Sequence, residues 1–225
     1  MIDTVAVLEA LADPARATEM AAYHKRHRPY WGISNPTIND LTKTWRRELD
    51  VDERIAQARR LWATNSHEGR IAAAKLLTQA RINPDQDVWA LIQSWVPEFD
   101  AWAIADHACS AGSRRIWADP SRLDQVEDWT KSDHMWTRRA ALVITLPWTK
   151  SNNPSAEEAA GRDRILGWAA TYVPDREWFI QKAIAWWVRE LSKHDRPRAQ
   201  AFLDRYGKDM KPFARRDAGR FLAKG

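Results

Sequence analysis

Trp102 and Asp106 stand four residues apart in Trp102-Ala-Ile-Ala-Asp106, which puts an indole and a carboxylate on one face of a helix. Small or apolar residues surround the acid, with Ile104 and Ala105 before it and Ala108 and Cys109 after it. A carboxylate in such surroundings costs free energy unless a cation pairs with it or it does chemistry. A lone carboxylate can stabilise developing positive charge and hold an attacking water. Taken alone, Asp106 reads more readily as a structural ion pair or a helix-surface acid. Two other groupings carry less. His24 and His27 lie three apart but lack a third ligand, and the Asp106-His107-x-Cys109 run lacks partners for zinc. No Ser-His-Asp or thiol nucleophile arrangement occurs, and eight glycines leave no Gly-rich phosphate loop. Neither a metal nor a cofactor is expected.

Helical periodicity must position these groups, because nearly every long segment carries it and strand-like alternation is scarce. Helices are predicted at 2–12, 14–27, 37–49, 51–63, 67–80, 84–96, 98–111, 121–131, 134–147, 156–171, 176–193, 196–206 and 211–223. The segment 28–35 reads as a loop leading to Pro36 in a first helical turn, and Ser151-Asn-Asn-Pro-Ser155 as a linker. One motif recurs, a polar or basic residue followed by small and apolar ones, led by Arg70, Asp106, Arg139, Lys182 and Arg216. Its period near 34 residues predicts an all-α chain of HEAT-like helical repeats, a curved α-solenoid. In that register four of five leading positions are cations forming a column along one groove, with Asp106 the single acid.

Composition bounds the rest. The 225 residues, 44% hydrophobic and 29% charged, fit one soluble domain spanning 1–225. No run of eighteen apolar residues predicts a membrane span, and no signal peptide is evident at the N-terminus. A single cysteine, Cys109, fits a reducing cytoplasm. Basic residues outnumber acidic ones by 35 to 30, and residues 175–225 hold 13 basic against 7 acidic. A basic C-terminal quarter points to an anionic partner, with nucleic acid foremost. Trp45, Trp62, Trp89 and Trp95, four of the 14 tryptophans, read as packing.

Longer stretches of the chain are familiar. They are Tyr23 ahead of the Gly32-Ile33 turn, Trp102-x-x-x-Asp106, Trp136-Thr-Arg-Arg139-Ala-Ala, Phe179-Ile-Gln-Lys-Ala-Ile-Ala-Trp186-Trp-Val-Arg189-Glu and Ala214-Arg-Arg216-Asp-Ala. From about residue 10 to 223 the chain resembles the AlkD family of DNA alkylation-repair glycosylases, built from HEAT-like repeats. The resemblance implies hydrolysis of the N-glycosidic bond of cationic alkylated purines, of the 3-methyladenine and 7-methylguanine type, in duplex DNA. It implies no base flipping, and an abasic site as product. It maps catalytic roles onto Asp106, Trp102 and Trp186, a groove arginine onto Arg139 and an N-terminal tyrosine onto Tyr23. Lys182, Arg189, Arg215 and Arg216 are the further expected DNA contacts. A monomer in the cytoplasm, associated with the nucleoid when bound to DNA, goes with this reading. One position departs from the family: an acid usually follows the first tryptophan, where this chain has Ala103.

The chemistry stands without the family. A purine alkylated at N3 or N7 is a cation and leaves as a neutral base without a general acid. As the bond breaks, positive charge builds on the sugar, as in glycoside hydrolysis. One carboxylate beside the sugar then suffices. Two other readings remain at this point: a non-catalytic HEAT-repeat protein that binds distorted or branched DNA, and a protein–protein scaffold.

Overall fold

The computed structural model describes residues 2–222 and contains thirteen α-helices and no strand among them. In chain order these are α1 (Thr4–Glu9), α2 (Pro14–His24), α3 (Asn35–Glu48), α4 (Val51–Ala63), α5 (His67–Leu76), α6 (Gln86–Trp95), α7 (Trp102–Ala118), α8 (Leu123–Trp129), α9 (Met135–Ile144), α10 (Ala156–Thr171), α11 (Trp178–Leu191), α12 (Arg196–Tyr206) and α13 (Pro212–Ala218). Local chemistry sets many of their starts. Asp13, Ser34, Ser66 and Asp195 accept from backbone N–H groups of the first turn. Asp50 with Glu53, and Ser155 with Glu158, form reciprocal capping boxes. The predicted linker 151–155 thus ends on the residue that starts α10.

The chain sorts into two compact units, one up to Ala118 and one from Asp119. In the first, α5 packs against α3, α4 and α7; in the second, α11 packs against α9, α12 and α13. The repeat register predicted from sequence lands on alternate helices. Arg70 is the fourth residue of α5, while Asp106, Arg139, Lys182 and Arg216 are each the fifth residue of α7, α9, α11 and α13. Helix packing explains the motif: the small residues after each leading position are the ones that turn inward, as with Ala72, Ala73 and Ala74, or Ala183 and Ala185, all 2% exposed or less.

Several helices are shorter or shifted relative to expectation, among them those predicted at 2–12, 67–80 and 211–223, and for two others the physical reason is plain. The predicted 98–111 helix is α7, Trp102–Ala118, because Pro97 sits in a 3₁₀ turn (Val96–Glu98) and Phe99 is extended with its ring buried. Beyond 111, Arg115 continues the helix as a fully buried cation. Its guanidinium donates to the carbonyls of Gln79, Ala80 and Ile82 at 2.6, 2.8 and 3.2 Å and pairs with Asp85 at 3.0 Å. The predicted 14–27 helix stops at His24, where Lys25 turns left-handed at φ 53°.

Buried guanidinium groups recur as ties between neighbouring helix pairs. Arg162 on α10 donates to the carbonyls of Trp148 and Ser151 and pairs with Asp195. Arg54 on α4 donates to the carbonyls of Leu49 and Arg46. Each satisfies backbone acceptors at helix ends that packing hides from water. Much of the basic composition is therefore structural. Trp45, Trp62, Trp89 and Trp95 are all buried, with Trp62 and Trp95 stacked at 4.2 Å.

Candidate active site and nucleic-acid interface

In the first unit, Trp102 opens α7 with its indole 40% exposed, and Asp106 follows one turn later, half-buried. The indole is propped from below by a ring cluster. His24 lies 5.7 Å from Trp102, 4.2 Å from His67 and 6.1 Å from Tyr30, and Tyr30 stacks on His67 at 5.2 Å. Tyr23, 71% exposed, packs edge-on against His24 at 4.9 Å. Tyr23 and Trp102, 79 residues apart, thus share one histidine. His24 thus engages rings on several sides.

The cluster rests on Glu68, a wholly buried carboxylate at the start of α5. It accepts the backbone N–H groups of Trp31, Gly32 and Ile33 at 2.9, 2.7 and 3.2 Å. Gly32 is needed there. Its φ is +75°, and a Cβ would lie 2.2 Å from the Asp13 carbonyl oxygen. The turn is thereby pressed onto the start of α2, the helix that carries Tyr23 and His24. Glu68→Ala would strand three amide donors, and a loss of about 2–4 kcal/mol is expected in a urea unfolding titration. The sequence alone could have flagged Glu68 only as a first-turn acid. The buried Arg28 guanidinium and its ion pair with Asp100 were equally hidden.

Burial sets the protonation of this cluster. Desolvation, helped by the neighbouring His24, Arg28 and His107, drives His67 down to about 3, and desolvation also lowers His24. Both folded values lie below the ordinary histidine value, so between pH 6.5 and about 3 the unfolded chain binds more protons and stability falls as pH falls. The expected slope for His67 is about 1.4 kcal/mol per pH unit. Urea midpoints from pH 7 to 4 would show it, and His67→Gln should flatten the curve.

In the second unit the groups cluster on α9, α11 and α13. Arg139 is 3% exposed and lies over the rings of Trp136 and Phe179 at 5.6 and 6.0 Å. Phe179 packs on Trp136 at 4.6 Å and meets Trp178 edge-on at 4.8 Å. Lys182 is exposed with its ammonium 4.7 Å from the Trp178 ring, itself 46% exposed. Trp186, one turn on from Lys182, is half-buried. Gln181 is fully buried and fixes this end of α11. It donates to the carbonyls of Val173 and Asp175 and accepts from the Lys211 N–H at 2.8 Å. Arg215 and Arg216 are exposed and, with Lys208 and Arg220, line a cleft of about 530 Å³ that has no aspartate or glutamate among the described residues. In the sequence Trp178 is one aromatic beside another, Phe179; its exposure and its lysine set it apart.

Not every cation singled out in the sequence is presented to a partner: Arg139, in the expected column, is buried beneath its rings. Arg70 is 7% exposed, pairs with Glu98 and lies 4.5 Å from the Trp62 ring, so it ties helices together. Arg189 is half-buried, with its Nη1 2.7 Å from both carboxylate oxygens of Asp217 and its Nε 3.6 Å from Glu190. Its charge is largely offset within the protein.

Comparison with known proteins identifies the family and the fold. A family model described as DNA alkylation repair enzyme matches residues 4–222, nearly the whole chain. The chain belongs to the DNA alkylation repair enzyme family. Among solved structures, a predicted DNA alkylation repair enzyme from Enterococcus faecalis superposes with a TM-score of 0.78 at 22% identity, covering 95% of this chain and 98% of that one. AlkD2 from Streptococcus mutans superposes with a TM-score of 0.61 at 16% identity, covering 85% and 90%. No curated protein matches in sequence. At these identities the superpositions establish the AlkD-type helical repeat fold, and the family match establishes a part in DNA alkylation repair. Among the described residues no helix of this family member is long and apolar enough to cross a membrane.

Proposed function

We propose that the protein is a monofunctional DNA glycosylase that hydrolyses the N-glycosidic bond of cationic alkylated purines in duplex DNA and leaves an abasic site. The observation that carries this reading is the pair on α7. A half-exposed indole, Trp102, stands one helical turn from a half-buried carboxylate, Asp106, in a chain of the alkylation-repair family. Asp106 supplies the negative charge that the sugar requires as the base departs, and it orients the attacking water. The water adds to C1′ as the C1′–N bond breaks. The bond's electron pair neutralises the alkylated base, and the one proton the water loses passes by way of the Asp106 carboxylate to solvent. Trp102 lies against the electron-poor sugar edge and excludes bulk water.

The second unit contributes contacts to the same DNA. Trp186 is assigned the second indole, and Lys182, Arg215 and Arg216 the phosphates. Arg139, buried over Trp136 and Phe179, is assigned a supporting place behind these contacts, and Arg189, held by Asp217 and Glu190, is assigned no direct phosphate contact. Tyr23 reaches the duplex from α2. The base stays stacked, so the site needs no pocket for an extruded nucleotide.

The reading is tested by lesion charge. Duplexes carrying one 7-methylguanine or 3-methyladenine should lose the base, whereas a neutral damaged base such as hypoxanthine should be retained, because only a cationic base leaves without a general acid. Free base and abasic site are quantified by chromatography. Equal release of the neutral base would refute the mechanism; tight binding with no release of any base would favour a non-catalytic binder of distorted DNA.

A further inference from the structure

The first unit contains a second basic surface that the sequence concealed. It is a cleft of about 540 Å³ lined by α3, α5 and α7, and its lining includes Lys43, Arg46, Arg47, Lys75, His107 and Arg114 but no aspartate or glutamate. Two of these cations have structural work. Arg46 donates to the Lys75 carbonyl, and the Lys75 ammonium donates to the Asn39 side-chain oxygen at 2.6 Å. Both also sit in last helical turns, where a cation offsets the helix dipole.

The last-turn explanation does not reach Lys43, which stands mid-helix, or Arg114, which lies a full turn before the end of α7. Arg47 shares the last turn of α3, but among the described residues its side chain bonds only to the Thr44 hydroxyl of its own helix. All three are exposed, and none has an ion pair among the described residues. Three uncompensated cations facing one cleft repel each other until an anion arrives. Neutral donors complete the lining: the Asn39 amide and the Ser110 hydroxyl. Burial, reinforced by Lys75, drives His107 down to about 4, so near neutrality it adds a hydrogen-bonding group rather than a further charge.

The cleft's position on α7 ties it to the candidate site. His107, Ser110 and Arg114 form one stripe of the helix, displaced by about a quarter turn from the stripe of Trp102 and Asp106. We propose that this α3–α5–α7 cleft is a phosphate-binding track that holds the backbone of duplex DNA through Lys43, Arg47 and Arg114. The proposal rests on the reading that the protein acts on duplex DNA and adds a contact surface that reading does not contain. Cations spread over three helices suit a row of phosphodiesters; a compact free anion would call for convergent donors.

The test uses the full chain and an undamaged duplex, with dissociation constants measured across a salt series. Lys43→Ala/Arg47→Ala/Arg114→Ala is compared with wild type and with Arg16→Ala/Arg59→Ala/Arg205→Ala, a control of equal net charge made at exposed positions outside the cleft. Circular dichroism confirms that each variant is folded. The cleft variant should bind at least tenfold more weakly, and its log–log salt slope should fall by about 2–3, near 0.9 for each lost phosphate contact. The control should stay within about twofold of wild type. Equal weakening of both variants would overturn the proposal in favour of general charge attraction. Wild-type affinity in the cleft variant would overturn it while leaving the duplex-DNA reading intact. Inorganic phosphate displacing DNA from wild type at matched ionic strength would show a compact anion site and overturn the backbone assignment. Failure of wild type to bind duplex even at low salt would remove the duplex reading itself.

Discussion

Asp106→Asn is expected to abolish base release while leaving the affinity for alkylated duplex unchanged or a few-fold tighter. Asparagine keeps the shape of the side chain and a carbonyl acceptor, so the half-buried position on α7 stays filled and the helix intact. The negative charge is lost. An amide offers little to a sugar that is becoming cationic, and it holds a water without drawing off its proton. Removing one preorganised electrostatic group from an active site commonly costs about 10²–10³ in rate, and here that group is assigned nearly all of the charge stabilisation. Loss of about 10³-fold or more is therefore expected under single-turnover conditions. Tighter binding follows because one negative charge no longer opposes the phosphates. Wild-type excision by this variant would show that Asp106 belongs to an ion pair and that the chemistry lies elsewhere.

Arg115→Ala is expected to produce the largest loss of stability among single substitutions in the first unit. The guanidinium is wholly buried and binds three carbonyls of the segment between α5 and α6, as well as Asp85. Truncation leaves Gln79, Ala80 and Ile82 with stranded acceptors, Asp85 without its cation, and a cavity in addition. Breaking a buried pair by removing one partner costs about 3–5 kcal/mol, a large fraction of the stability of an ordinary domain. Urea unfolding followed by tryptophan fluorescence measures it. Arg115→Lys should recover only part of the loss, because an ammonium cannot reach several carbonyls in one plane. A loss below about 1 kcal/mol would mean that water reaches these groups.

These two residues show what the sequence could and could not say. The placement of Asp106 one turn from Trp102 was legible because that spacing follows from the helix alone. The repeat was legible through the small residues behind each leading position, since close packing of alternate helices demands them. Arg115 was not. In sequence it is one of two adjacent arginines after a serine, the pattern of a solvated helix end, and only the carbonyls of 79–82 make it a core residue. The same holds for Arg70, whose motif match was right in register but whose charge Glu98 absorbs. Glu68 and the His24–His67 pair were hidden because their partners lie 35 or more residues away. The basic C-terminal quarter was a partial guide. Arg189, Arg198 and Lys193 spend their charge on Asp217, Asp163 and Glu190, whereas Lys182, Arg215 and Arg216 remain exposed.

The reading turns on whether this chain breaks a glycosidic bond at all. The decisive measurement is single-turnover incubation of the wild-type protein with a duplex carrying one 7-methylguanine, followed by chromatography of the released base and scission of the strand at abasic sites. The expected result is stoichiometric free 7-methylguanine with one abasic site for each base released. Intact lesion in DNA that the protein demonstrably holds would contradict the glycosylase account.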